Sequence, residues 1–215
     1  MQSQDNEQVT TDLRKIRRLI AASMDGVTAE KMHQNGIDYT KNFGVALPRL
    51  REIAAMFTAD TRLAAELWKT DSREAMIIAL MLTPGNSTTM NEAERIAEQL
   101  PNNELVEIAA TELFAKMPNV TEFVNKMLQH GNKELFVACC TATHAADKLD
   151  DTLLEQIATK ISQSHLDAAT ANAVATLFMR LGEVPALTNG VQHATAILKK
   201  STDTLCQRVV DWLSY

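Results

Sequence analysis

The chain has 215 residues and a formal net charge of −6, with 46% apolar and 5% aromatic residues, 7 Gly and 5 Pro. That length supports one sizeable core and at most two compact domains. The scarcity of Gly and Pro argues against a turn-dense β fold, and the acidic balance argues against a general nucleic-acid binder.

The charge is uneven. Basic and acidic residues balance over residues 1–75, and the whole acidic excess lies beyond them. Three cysteines, Cys139, Cys140 and Cys206, make a poor disulfide framework, so a reducing, cytoplasmic setting is expected. The opening residues MQSQDNEQVTTD are polar and carry no secretory apolar region. No apolar stretch is long enough to span a bilayer, so no membrane association is expected.

In chain order, residues 1–9 are expected to be loosely ordered, followed by a single helical domain over 10–215. The segment 13–24 places Leu13, Ile16, Ile20 and Met24 at helical spacing. The segments 47–57, 61–68 and 72–82 repeat such a stripe. Asp71 with Glu74, Thr89 with Glu92, and Asn119 with Glu122 have capping-box spacing. TPGNS (83–87) reads as a turn. Gly131-Asn132 reads as the end of one helix and the cap of the next.

About a dozen helices result, joined by short gaps that favour antiparallel neighbours. Segments 67–80, 128–140 and 198–210 share one design: a helix ending near a Leu, a polar turn, then an apolar helix. Stacking of such hairpins gives an all-α solenoid of HEAT-like helix pairs, a single curved domain. A compact helical bundle is the rival architecture.

Phe43, Gly44, Val45, Pro48, Leu50, Arg51, Ile53 and Ala54, followed by Leu63, Leu67, Trp68 and Glu74, form a block. It resembles the N-terminal signature of the HEAT-like DNA alkylation-repair family, the AlkD-type alkylpurine DNA glycosylases. The resemblance implies a C-shaped solenoid whose concave face holds duplex DNA. It also implies excision of purines alkylated at N3 or N7. A carboxylate there stabilises an oxocarbenium-like sugar and aromatic faces hold the cationic base, without base flipping.

Carried onto this chain, the family's carboxylate position falls at Glu107. The tryptophan that opens the catalytic segment falls at Asn103, with Glu104 beside it. A DNA-contacting arginine falls at Val137, and a second lesion-facing tryptophan near Thr176. Three of these four positions have thus exchanged their chemistry. The resemblance then implies a diverged, non-catalytic member that binds duplex DNA or a protein partner through a groove lined by Asn103, Glu104, Val137, Thr176, Arg51 and Lys41. The alternative is a working glycosylase using Glu107.

Other residues have two readings each. Glu107 is either that stabiliser or a solvated glutamate near a helix N-terminus. Arg14, Lys15, Arg17, Arg18, Lys41, Arg49 and Arg51 either meet phosphate or form a solvated face. Cys140, His144 and Asp147 have metal-pair spacing on a helix, but the same spacing serves core packing. Trp68 and Trp212 read as core anchors, and Cys139 and Cys206 as small apolar residues. No metal or cofactor is expected, since no phosphate-cradling loop, zinc motif or nucleophile elbow is present.

Overall fold

The computed structural model describes residues 2–131 and 133–214. These form thirteen α-helices with four short 3₁₀ turns, and no strand among the described residues. The all-α expectation holds, and so does the helix count.

The chain divides into two compact units, residues 1–88 and 89–215, where a single domain over 10–215 is expected from sequence. Stacked repeats bury their apolar faces against near neighbours rather than in one shared core.

The first unit contains α1 (Gln2–Ala22), α2 (Gly26–Gln34), α3 (Leu47–Ala54), α4 (Thr61–Trp68) and α5 (Arg73–Leu82). Helix α1 begins at Gln2, inside the stretch 1–9 that is expected from sequence to be loosely ordered. Thr10 and Thr11 donate to the carbonyls of Asn6 and Glu7, and Gln8 donates to Asp12, which closes these turns locally. Ile16 and Ile20 of α1 are buried, as are Leu50 and Ile53 of α3 and Leu63 and Leu67 of α4. Helix α5 is apolar nearly all round and lies at the centre, packed on α3 and α4.

A buried ion pair fixes the segment before α3. Arg73 and Glu74 open α5 and are 5% and 0% exposed. The Glu74 carboxylate accepts from the backbone N–H of Phe43 (3.2 Å) and of Val45 (3.3 Å), and from Arg73 Nη1 (3.2 Å). Arg73 Nη1 also donates to the Val45 carbonyl (2.9 Å), and the Arg73 N–H donates to the Lys41 carbonyl. Between these anchors Gly44 has φ +70°, and a Cβ there would lie 2.0 Å from the Asp25 carbonyl oxygen. Only glycine fits this approach.

The capping details differ in part from the sequence expectation. Thr89 and Glu92 form the full capping box of α6. At α5 the cap is Ser72, which accepts from Ala75 N–H. Asp71 instead takes a left-handed φ of 52°, because Glu74 is drawn inward to residues 43 and 45. Asn119 makes no side-chain cap bond. Gly131 follows the helix before it, while Asn132 lies outside the described residues.

The second unit contains α6 (Met90–Glu98), α7 (Asn103–Glu112), α8 (Val120–Leu128), α9 (Glu134–Thr143), α10 (Asp151–Ser162), α11 (Ala168–Gly182), α12 (Thr188–Leu198) and α13 (Thr204–Trp212). Helices α7, α9, α11 and α13 pack side by side as one layer. Helices α8, α10 and α12 form the other, and Lys126 of α8 pairs with Glu94 of α6. The three hairpin corners read from sequence are α4–α5, α8–α9 and α12–α13, and each pair packs together.

Phe114, Phe123 and Phe136 knit α8 and α9 to the turn after α7, with ring centroids 4.9–5.3 Å apart. Helix α12 approaches α10 closely at Gly190, where a Cβ would sit 2.3 Å from Asp151 Oδ1. Trp212 is 41% exposed rather than a core anchor, because α13 buries Cys206, Val209 and Val210 on another face. No helix among the described residues is long and apolar enough to cross a membrane.

Two substitutions test the clamp around residues 43–45. Gly44→Ala should prevent the first unit from reaching its native packing, read as loss of a cooperative denaturation transition. Glu74→Gln should remove the buried charge that holds the Phe43 and Val45 N–H groups and Arg73, and cost about 3–5 kcal/mol in urea unfolding.

Candidate functional site

The layer of α7, α9, α11 and α13 carries most of the positions singled out from sequence. Asn102 caps α7 by accepting from Leu105 N–H, which places Asn103, Glu104 and Glu107 in its first two turns. Asp167 caps α11 in the same way, accepting from Thr170 N–H at 2.7 Å. The two helix starts lie together, because Asn103 Nδ2 donates to Asp167 Oδ2 at 3.4 Å. At the far end Thr143 of α9 reaches the Ala110 carbonyl of α7. Helices α7, α9 and α11 therefore run parallel.

Glu107 is solvent-accessible. Partial burial, and then the charge of Glu104, raise its carboxyl above the usual carboxylate range. Its near neighbour on α9 is Cys139, whose thiol is pushed up to about 12 by burial and then by the charge of Glu107. The Thr170 N–H is the first cause of a lowered pKa at Asp167, and Asn103 adds to it. The layer thus carries one carboxylate destabilised by its surroundings and one stabilised by them.

The other expected groove residues divide. Val137 is 2% exposed inside α9 and offers no surface for a ligand, since α9 is packed between α7 and α11. Thr176 is exposed on α11 but turns its hydroxyl to the Asn172 carbonyl of its own helix. Arg51 and Lys41 belong to the first unit and are exposed, Arg51 on α3 and Lys41 in the segment held by Arg73.

The Cys140, His144 and Asp147 spacing does not become a metal pair. Helix α9 ends at Thr143, so His144 leaves the helical register. His144 Nε2 lies 2.7 Å from Thr121 Oγ1, Cys140 is fully buried, and Asp147 is exposed. Burial, then Lys148, lowers the His144 pKa. No group of three or more candidate metal ligands occurs among the described residues.

Sequence reasoning missed the roles of Asp167 and Cys139. The Asp-x-x-Thr spacing of residues 167–170 signals the cap. Nothing local signals its bond to Asn103, which lies 64 residues away.

Stacked helix pairs of this kind define a HEAT-like repeat protein. The chain belongs to the DNA alkylation repair enzyme family, whose profile matches residues 16–165. No curated protein gives a significant sequence match. A solved structure matches the fold with a TM-score of 0.75 at 14% identity, covering 94% of each chain. That protein is described as one of a new family related to the HEAT-like repeat DNA glycosylases, with affinity for branched DNA structures.

Thiol chemistry tests the Glu107–Cys139 juxtaposition. At pH 8 native Cys139 should react with iodoacetamide on the order of 1000-fold more slowly than an ordinary thiol, as its small thiolate fraction dictates. Glu107→Gln should accelerate that labelling, measured by peptide mass spectrometry. An unchanged rate would deny the coupling.

Proposed function

We propose that this chain is a diverged, non-catalytic member of the DNA alkylation repair family that binds DNA as a structural module. The observation that carries the reading is the engagement of Asn103. At the position where the resemblance implies a lesion-facing tryptophan, a small amide is tied to the Asp167 cap of α11. An amide so held supplies no aromatic face for a cationic purine, and each lost cation–π contact forfeits about 0.5–2 kcal/mol of lesion binding.

The remaining positions support the same reading. Val137 is buried and uncharged where the resemblance implies an arginine for the DNA backbone. Thr176 presents no ring. Glu107 keeps a carboxylate, but its partly desolvated setting beside Glu104 disfavours the charge that an oxocarbenium stabiliser must carry. Family membership supports DNA as the ligand, and so does the affinity for branched DNA described for the similar structure.

The test is base release from duplex DNA containing N7-methylguanine, with Glu107→Gln alongside, and anisotropy on a labelled four-way junction and a linear duplex. No release together with salt-dependent binding is the expected result. Release that disappears in the Glu107→Gln variant would sink the non-catalytic reading in favour of a glycosylase. Absence of both release and binding would remove DNA as the ligand and leave a protein partner.

A further inference from the structure

Helix α1 of the first unit carries four cations within five residues, Arg14, Lys15, Arg17 and Arg18. Helix α1 buries Ile16 and Ile20 against α3 and α4. At 3.6 residues per turn, Arg14, Arg17 and Arg18 share one arc of roughly 100° turned away from that stripe, and Lys15 lies beyond it on the other side. All four are exposed. Lys15 Nζ stands 5.3 Å from the centroid of the Phe57 ring, a contact that leaves its charge uncancelled. Asp12, the nearest acid along the helix, accepts from Gln8. From Leu13 to Ala22 the helix carries no acid at all, in a chain whose net charge is −6.

Holding Arg14, Arg17 and Arg18 on one arc costs self-repulsion, and the buried stripe of Ile16 and Ile20 does not include them. Their spacing along one exposed helix face suits a run of phosphates, which guanidinium groups recognise well. We infer that the outward face of α1 is a phosphate-contacting surface for the DNA backbone, with Arg14, Arg17 and Arg18 as its principal contacts. This inference rests on the DNA-binding reading above and adds to it a surface outside the α7–α9–α11 layer.

A membrane surface is the competing polyanion. Interfacial helices insert an apolar face between lipids. The apolar face of α1 is already committed to the core of its unit, which favours nucleic acid.

The experiment uses the full chain and three proteins: the wild type, R14Q/R17Q/R18Q, and K199Q/K200Q as a control at exposed cations elsewhere. Anisotropy with a labelled four-way junction and a linear duplex is followed across a salt series, with circular dichroism to check folding. The triple variant should fold and bind roughly tenfold or more weakly at low salt. Its dependence of log affinity on log salt should be shallower by about 2–3, as expected for three lost phosphate contacts. The lysine control should keep the wild-type slope.

Binding by the triple variant with an unchanged slope would overturn this surface while leaving the DNA reading intact. An equal loss in the lysine control would also overturn it, since any cation would then serve. No binding by the wild type would sink the DNA reading itself. Binding of the wild type to phosphatidylserine vesicles but not to DNA would replace nucleic acid with a membrane.

Discussion

The architecture of the first unit depends on one buried carboxylate. Glu74 is fully enclosed, and its charge is balanced by Arg73 and by the backbone N–H groups of residues 43 and 45. A buried ion of this kind is tolerable only where its partners are in place, so the segment 41–45 and the start of α5 are specified together. Gly44 completes the arrangement by letting that segment pass against the start of α2. Phe43, Gly44, Val45 and Glu74 of the family block thus have a structural part: they set how the chain enters α3.

The second unit is built on different terms. Its two layers are held by aromatic and aliphatic packing, with polar side chains used mainly at helix starts. The bond between Asn103 and Asp167 converts two separate caps into one linked edge across α7 and α11. The family scaffold persists in these layers, and the polar side chains at its helix starts are spent on holding neighbouring helices in register.

Much of the fold is legible in the sequence because local rules dominate in helical hairpins. The stripes at Leu50–Ile53 and Leu63–Leu67, the Thr89–Glu92 box and the three hairpin corners all follow from spacing within a few residues. The failures are tertiary. Asp71 loses its capping role because Glu74 is captured by a segment about 30 residues away, and Trp212 is exposed because α13 buries another face. Of the candidate site, the placement of Asn103, Glu104 and Glu107 at the start of α7 was readable. The burial of Val137 and the pairing of Asn103 were not, since both depend on which helices become neighbours.

Helix α1 has a mechanical character that its sequence hides. Its 21 residues run about 31 Å, yet its fully buried side chains begin only at Ile16. Among the described side chains before it, Val9, Asp12 and Leu13 are half-buried and the others exposed, so this stretch leans on local hydrogen bonds more than on the core. Isolated helical segments of that length are marginal in water. Any contact added along this lightly packed stretch therefore strengthens the helix without disturbing the packing around Ile16 and Ile20.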